Sequence, residues 1–455
     1  MLLSDTRTIT DEVFPAVPET LEDTGLAEST LEQLILKLMY FRGDIYGRDL
    51  ALALGLQFSV IFKIIEVLKL QHIVHIKRSL GYGDVSALFA LTETGRVRAQ
   101  EALEFNQYAG PAPVPLAQYE EMVRRQRPKP GWLTRQMLAD AYTGVVVTDA
   151  ILSGMGHAMS SGNSFLLYGK PGNGKTFLAE NLTNLDSVPV YLPHALECQG
   201  NIIQYFDPVY HQPLNDGEEV RDTVTTELAY DGRWVRCKRP FLMTGGELTL
   251  DMLDLTYNPI SKIYDAPFQL KANNGIYLID DFGRQRATPA EVLNRWIVPM
   301  ERKVDFLSFR SGGKMQVPFD AFLVFSTNLR PESLGDEAFL RRIQYKMLLR
   351  GPVEEEFEEI FRRFCTAKKL SYPSSLVTYL LDKHYRHSGK PMRRCHPRDI
   401  LSHAIDLIHF EKLPYVLNEE VLDRAFESCF VEDSEEGDAS YAPVVAMPKA
   451  KHAYA

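Results

Sequence analysis

Hydrophobic positions recur in two different patterns along the chain. They follow helical spacing within the first hundred residues and again from 353 to 431, and between these regions they form short continuous runs. Short apolar runs bounded by turn residues are typical of strands buried on both faces of a parallel sheet. The pattern therefore predicts a central α/β core with a more helical region on each side.

In the N-terminal region the pattern predicts three helices, a hairpin and a closing helix. Helices are expected at 31–40, 47–55, 58–70 and 92–104, and strands at 73–77 and 87–91. This order predicts a winged helix-turn-helix domain over 28–106 and resembles bacterial winged-helix regulators. The domain carries nine acidic and nine basic residues, so its charge alone does not indicate DNA binding. DNA and a protein partner, including the rest of this chain, both remain open.

The stretches that flank these regions have a different composition. Residues 1–27 hold prolines and six acidic residues against Arg7, and we predict a flexible acidic leader. Residues 107–131 are predicted to be a Pro-rich linker that ends in the basic run 124–129, which either contacts an acidic partner or nucleic acid or is simply solvated. Residues 432–455 carry five acidic residues and are predicted to be a disordered acidic tail.

The overall composition narrows the class of protein only slightly. The chain has 455 residues, 45% of them hydrophobic and 24% charged, which is enough for several cores. The net charge of -10 comes mainly from the two ends, so it says little about a ligand surface. Five scattered cysteines indicate neither a disulfide framework nor a zinc site. No apolar run reaches bilayer length, so we expect no membrane insertion and a cytoplasmic location.

One segment has a dense glycine pattern between a predicted strand and a predicted helix. It reads Gly-Lys-Pro-Gly-Asn-Gly-Lys-Thr over 169–176, after the apolar run 165–168. Glycines permit positive φ and close backbone approach, so the N–H groups of such a loop surround phosphate oxygens. In this P-loop pattern the lysine neutralises phosphate charge and the hydroxyl binds Mg²⁺. We predict that a nucleoside triphosphate contacts Gly169, Pro171, Gly172, Asn173, Gly174, Lys175, Thr176 and Phe177.

Further motifs follow the P-loop in chain order. The apolar run 275–279 ends in Asp280 and Asp281, and the run 322–325 leads to Asn328. With these segments, residues 132–431 resemble an AAA+ ATPase. The resemblance implies an α/β P-loop NTPase core over 132–351, with a parallel sheet covered by helices on both faces, and a helical lid over 352–431. It also implies that ATP and Mg²⁺ are the cofactors.

The resemblance implies a role for each of these polar residues. Asp280 would hold Mg²⁺ together with Thr176, and Lys175 would contact the phosphates. Asp281 stands where AAA+ ATPases usually have the glutamate that orients the attacking water, and its shorter side chain puts the hydrolysis rate in question. Asn328 would contact that water or the γ-phosphate as sensor 1. The alternatives are that Asp281 caps a helix and that Asn328 caps a strand end.

Two arginines complete the resemblance. Arg342 would reach a neighbouring subunit as the arginine finger, and Arg398 would approach the nucleotide from the lid as sensor 2. A guanidinium suits both roles because it stays charged and binds phosphate oxygens with a planar fork. The alternatives are a surface arginine at 342 and a structural pair of Arg398 with Asp399.

Two features resemble one clade of AAA+ ATPases, the MoxR-like and magnesium-chelatase group. A long insertion separates the strand at 188–192 from that at 275–281, and a hairpin over 304–318 precedes the strand at 322–325. The clade implies a hexameric ring of identical subunits that remodels a protein client or complex in the manner of a chaperone. An ATP-regulated DNA-binding protein, and a nucleotide-binding scaffold with little hydrolysis, remain as alternatives.

Overall fold

The computed structural model describes residues 12–79, 81, 83–162, 164–185, 187–214, 229–335 and 340–430. The chain divides into two compact units, Met1–Arg350 and Gly351–Ala455. The predicted tail 432–455, the first eleven residues of the predicted leader, and residues 336–339 beside the predicted arginine finger lie outside the described residues.

The first elements of the chain follow the predicted order of helices and hairpin. Strands β1, β3 and β2 form an antiparallel sheet in that order, and β1 is an addition to the predicted elements. Aliphatic side chains from the helices and the sheet share one buried cluster. The elements are α1 (Leu21–Thr24), α2 (Glu28–Arg42), β1 (Ile45–Tyr46), α3 (Gly47–Leu54), α4 (Phe58–Leu70), β2 (Val74–Arg78), β3 (Leu88–Leu91) and α5 (Glu93–Phe105).

The rest of the first unit alternates strands and helices. Its elements are β4 (Val114–Pro115), α6 (Leu116–Arg125), α7 (Arg135–Ala141), α8 (Asp149–Ser160), β5 (Phe165–Tyr168), α9 (Lys175–Glu180), β6 (Val190–Pro193), β7 (Ala195–Cys198), β8 (Asn201–Gln204), β9 (Trp234–Cys237), β10 (Phe241–Thr244), β11 (Thr256–Asn258), β12 (Ile263–Asp265), α10 (Phe268–Lys271), β13 (Ile276–Ile279), α11 (Pro289–Arg302), β14 (Val304–Ser308), β15 (Lys314–Pro318), β16 (Phe322–Thr327) and β17 (Tyr345–Leu348).

Five of the described strands form a parallel sheet, the core sheet, in the order β10-β13-β16-β5-β17. Alternate residues of a strand point to opposite faces, and this is visible along β5. Phe165 and Leu167 pack in one cluster with Met155 of α8, whereas Leu166 packs in another with Trp296 of α11. Both faces of the core sheet are therefore covered by helices, as the continuous apolar runs predict.

The predicted insertion and hairpin are both present. Between β6 and β13 the chain forms most of a second, mixed sheet, in the order β11-β12-β8-β7-β4. The predicted hairpin over 304–318 is the antiparallel pair of β14 and β15, directly before β16.

The segment predicted to be a flexible leader is packed from residue 12 onward. Glu12 forms an ion pair with Arg236 at 2.7 Å and accepts a hydrogen bond from the Tyr191 hydroxyl at 2.9 Å. Farther along, the backbone oxygen of Thr24 accepts a hydrogen bond from Arg233. Local composition indicates a loose leader here because every one of these partners lies about two hundred positions away.

Much of the predicted Pro-rich linker is also packed rather than extended. Strand β4 pairs with β7 in the second sheet, and α6 buries Tyr119, Met122 and Val123. The Gln126 amide, just after α6, donates to the Tyr191 carbonyl at 3.2 Å and accepts from the Tyr191 N–H. The prolines set the path of the chain at 111–115, but α6 is an amphipathic helix whose partners lie in the core.

The elements over 28–105, here called the N-terminal fold, belong to the same compact unit as the core sheet. The turn after α3 brings Gly55 so close to Gly232 that a Cβ at position 55 would lie 2.4 Å from the Gly232 carbonyl oxygen. Beside this contact, Arg233 and Asp231 form an ion pair at 2.8 Å with both side chains only 2% exposed. The N-terminal fold is thus docked onto the inserted region.

Helices make up the described part of the second unit, in the region predicted to be a lid. Their apolar faces meet in one cluster that includes Phe357, Leu401 and Leu422. The helices are Glu354–Lys368, Ser375–Leu381, His396–Glu411 and Glu419–Cys429, with a π-helical turn at Asp382–Arg386. Within the described residues, no single helix is long and apolar enough to cross a bilayer, although the α3 and α4 pair, bent by 117°, meets the criterion jointly.

Candidate nucleotide-binding site

The predicted P-loop follows the carboxyl end of β5, a strand flanked on both sides within the core sheet. Gly169, Gly172 and Gly174 have φ values of 148°, 80° and 79°, a region that side chains with a Cβ rarely adopt. At Gly169 a Cβ would lie 2.3 Å from the carbonyl oxygen of Leu349, which also accepts a hydrogen bond from the Asn173 amide at 3.2 Å. The loop is therefore held tightly against the end of β17.

Lys175 lies at the centre of a hydrogen-bonded network. Its ammonium group donates to the carbonyl oxygens of Gly169 at 3.0 Å and Lys170 at 3.2 Å. It also donates to the Oδ1 atom of Asn328 at 2.7 Å. The side chain is only 6% exposed, so its charge acts in a poorly hydrated environment, where attraction to a phosphate is stronger than in water.

Thr176 and Asp280 provide a pair of oxygen ligands beside the lysine. The threonine hydroxyl donates to the Oδ2 atom of Asp280 at 2.8 Å. Strand β13 carries Asp280 at its carboxyl end, and the Gln285 amide fixes the turn by donating to the Asp280 carbonyl at 2.8 Å. Mg²⁺ prefers oxygen ligands and usually takes only one or two from the protein, with water and phosphate completing its shell.

Asp281 and Asn328 are joined at the ends of two neighbouring strands. The Nδ2 atom of Asn328 donates to the Oδ1 atom of Asp281 at 2.7 Å. Asp281 has a φ of 47°, a left-handed conformation that Asp tolerates better than most residues. It does not cap a helix, because α11 begins only at Pro289 and is capped by Thr288.

The partners described for the two predicted arginines are acidic side chains. The Nε atom of Arg342 donates to Glu301 at 3.0 Å, at the end of α11. Arg398 belongs to the second compact unit, where it pairs with Asp399 at 2.9 Å and is 65% exposed. The pair with Asp399 is the structural alternative considered above. The structure therefore brings together Lys175, Thr176, Asp280, Asp281 and Asn328.

The residue pattern does not reveal several groups that hold the site in place. Gln285 fastens the turn after β13, and at Gly283 (φ 105°) a Cβ would lie 2.7 Å from the Leu329 side chain. The hydroxyl of Thr327 donates to the Phe282 carbonyl at 2.5 Å and so joins the ends of β13 and β16. Of these groups, only Gly283, two residues after Asp281, can be recognised from the sequence as a position that supports the site.

The site fits a nucleoside triphosphate with Mg²⁺. The glycine loop leaves no room for a Cβ where it passes Leu349, Lys175 offers an ammonium group, and Thr176 and Asp280 offer adjacent oxygen ligands. These donors match the charge and the coordination preferences of a magnesium-bound triphosphate.

Comparisons with known proteins give limited similarity. A family described as "Domain of unknown function (DUF8689)" matches residues 353–428. No curated protein matches the chain. Among solved structures, the chain is similar to a point mutant of Thermotoga maritima RuvB at 13% identity and a TM-score of 0.35, over 65% of this chain and 70% of that chain. It is also similar to the Thermotoga maritima RuvB Holliday junction branch migration motor at 15% identity and a TM-score of 0.34, over 67% of this chain and 72% of that chain. The similarity to NtrX from Brucella abortus has 12% identity and a TM-score of 0.39, over 66% of this chain and 60% of that chain.

The fold class itself is visible in the architecture. The core sheet is parallel, β5 lies between β16 and β17, and the glycine loop joins the carboxyl end of β5 to α9. The chain contains an α/β P-loop NTPase core, and its C-terminal part is helical.

Proposed function

We propose that the chain is an AAA+ ATPase that binds and hydrolyses ATP with Mg²⁺ and uses the energy to remodel a protein client or complex. The observation that carries the proposal is the network from Lys175 through Asn328 to Asp281, beside the pair of Thr176 and Asp280. A group for phosphate charge, a pair for a divalent cation and a carboxylate for the attacking water lie at one edge of the core sheet. Triphosphate hydrolysis requires these three functions.

In this mechanism the chain mainly positions charged groups around the triphosphate and the attacking water. The P-loop N–H groups and Lys175 bind the β- and γ-phosphates, and Thr176 and Asp280 hold the cation. A Mg²⁺ ion held by these two residues would stabilise the negative charge that develops during transfer. Asp281 accepts a proton from the attacking water, and Asn328 keeps that carboxylate in position through the bond at 2.7 Å.

A first experiment tests nucleotide binding. We expect Lys175→Ala to weaken the binding of a fluorescent ATP analogue by about 100-fold, because it removes a nearly buried cation from the phosphate site. The matched control is Lys170→Ala, which removes the same charge from an exposed side chain of the same loop. Unchanged affinity in Lys175→Ala would exclude the P-loop assignment.

We propose that the complete site is shared between subunits of a homo-oligomer, a hexameric ring in the MoxR-like case. Arg342 pairs with Glu301 at 3.0 Å, at the end of α11. This placement supports its use by a neighbouring subunit, where a guanidinium would contact the γ-phosphate. Arg398 of the helical lid would supply a further positive charge.

We propose that the N-terminal fold docks a protein rather than DNA. Two basic side chains near the hairpin are already paired, Lys69 with Asp84 at 2.7 Å and Lys77 with Asp44 at 2.6 Å. On α4, the helix that would enter a DNA groove, Leu70 is 81% exposed. Neutralised bases and an exposed leucine suit a protein surface better than a phosphate backbone.

The DNA alternative is tested with the full chain and a fluorescent duplex. We expect no binding at about 50 mM salt, where phosphate contacts are strongest. Salt-dependent binding that Arg78→Ala weakens, while the distant and exposed Arg135→Ala does not, would instead favour the DNA-binding alternative.

A further inference from the structure

A cavity of about 930 Å³ opens at the amino edge of the core sheet. Its lining includes Phe241, Ile276 and Phe322, the first residues of β10, β13 and β16. The P-loop lies at the carboxyl end of the sheet, and strands of four to six residues separate the two edges by roughly 13–20 Å. The cavity is therefore distinct from the nucleotide site, and its size suits a small organic ligand.

Positive side chains outnumber negative ones in the described lining of this cavity. The basic residues of the lining are Arg127, Lys129, Lys238, Arg239 and Lys303, and the described carboxylate is that of Asp320. Arg127 already engages this carboxylate, since its Nε atom lies 2.7 Å from the Oδ2 atom of Asp320. In the described lining, Asp320 is thus the one acidic residue among several basic ones.

Arg239 is the most informative of these residues. Within the described part of the chain, its guanidinium donates to the carbonyl oxygens of Asn274 at 2.7 Å and Gln126 at 3.1 Å, and to no carboxylate. Burial lowers the pKa of Arg239 to about 10, and the side chain stays charged at neutral pH. A half-buried cation held by carbonyl groups is costly to desolvate, and an anion in the cavity would offset part of that cost.

Lys303, an exposed residue just after α11, also lines the cavity. Its ammonium group donates to the Gly162 carbonyl at 3.2 Å. Desolvation lowers the pKa of Lys303, the Asp320 carboxylate raises it, and the charge of Arg127 lowers it again. The negative charge described beside Lys303 is therefore the Asp320 carboxylate, which Arg127 already engages.

The rest of the lining combines polar residues with a set of aromatic and aliphatic side chains. Trp132, Tyr210, Phe241 and Phe322 line it, together with Leu182. We propose that this cavity binds a small organic phosphate or carboxylate with an aromatic or apolar body, whose anionic group contacts Arg239 and whose body lies against these side chains. The site would respond to a second ligand, independent of the triphosphate.

Tryptophan fluorescence of the full chain tests this proposal directly. The sequence has three tryptophans, of which Trp234 and Trp296 are 5% and 0% exposed, whereas Trp132 is partly exposed and lines the cavity. With phenyl phosphate as the probe, we expect a saturable change that Trp132→Phe removes. Inorganic phosphate and benzyl alcohol, which each lack one half of the probe, should bind at least about tenfold more weakly.

Variants identify the side chain that contacts the anionic group of the probe. Arg239→Gln should weaken the binding of phenyl phosphate by about tenfold or more, because it removes the half-buried positive charge. Arg135→Gln, at a side chain that is 79% exposed, should leave the affinity unchanged, and so should Lys175→Ala in the P-loop. If Arg239→Gln does not fold, the double variant Lys238→Gln with Lys303→Gln decides, with weakening of at least about threefold expected.

Several results would overturn the proposal. They are the absence of saturation up to about 10 mM probe, equal binding of benzyl alcohol, and an affinity that neither Arg239→Gln nor the double variant changes. Loss of binding in Lys175→Ala would likewise overturn it, because the probe would then report on the triphosphate loop.

Discussion

At the scale of single residues, Asn328 connects the phosphate side of the site to the hydrolytic side. Its carbonyl oxygen accepts from Lys175 and its amide nitrogen donates to Asp281, both at 2.7 Å. An amide is the side chain that offers an acceptor and a donor from one rigid group. Movement of the lysine toward a γ-phosphate would therefore be transmitted to the carboxylate.

The role of Asp281 is tested by removing its charge without changing its shape. We expect Asp281→Asn to lower the rate of phosphate release by about 100-fold, because a neutral amide cannot accept the proton of water. ATP affinity should change by less than about threefold, since Asp281 bonds Asn328 rather than the P-loop. Asparagine also tolerates the left-handed backbone at this position.

The control for that variant is Asp251→Asn, at an exposed aspartate in the same compact unit. A rate that is already negligible in the unaltered chain, with intact ATP binding, would favour the nucleotide-binding scaffold. Normal turnover in Asp281→Asn would assign the activation of water to another group.

At the scale of elements, the sequence predicts those helices and strands that a local pattern of residues determines. Strands β5, β13 and β16 are short apolar runs followed by polar residues, so both the strands and the residues at their carboxyl ends can be predicted. The path of 12–27 and the packing of α6 depend on partners far along the chain, such as Arg236 and Tyr191. Composition then indicates loose segments where the structure has packed ones.

The contribution of α6 and the residue after it can be measured as stability. We expect Gln126→Leu to lower the free energy of unfolding by about 1–3 kcal/mol, because it leaves the buried N–H and carbonyl of Tyr191 without their amide partner. Gln136→Leu, at an exposed position on α7, should change it by less than about 0.5 kcal/mol. Urea unfolding of both variants makes the comparison, and equal effects would mean that the segment is only loosely attached.

At the scale of the whole molecule, the arginine finger predicts that two defective subunits can assist each other. Arg342→Ala removes the finger and Asp280→Ala removes a cation ligand, and each variant alone should be inactive. In mixed assemblies some sites would combine an intact Asp280 with an intact Arg342 from the neighbour. We expect such mixtures to recover measurable phosphate release, up to about a quarter of the unaltered rate.

That mixing experiment needs confirmed assembly, for example by mass photometry of the mixture. Complete inactivity in well-formed mixed oligomers would argue against a finger supplied by a neighbour. The ion pair of Arg342 with Glu301 would then be structural.

Gly55 and Gly232 meet where the N-terminal fold contacts the inserted region. A substitution there can separate the role of the N-terminal fold from nucleotide binding. The backbone of Gly232 is not left-handed, yet a Cβ there would lie 2.9 Å from the carbonyl oxygen of Gly55. Gly232→Ala therefore adds a single methyl group at this seam and leaves the triphosphate site untouched. Cells that carry this allele would show which phenotypes depend on the docked N-terminal fold. Suppressor mutations near residue 55 would identify the side of the contact that the N-terminal fold provides.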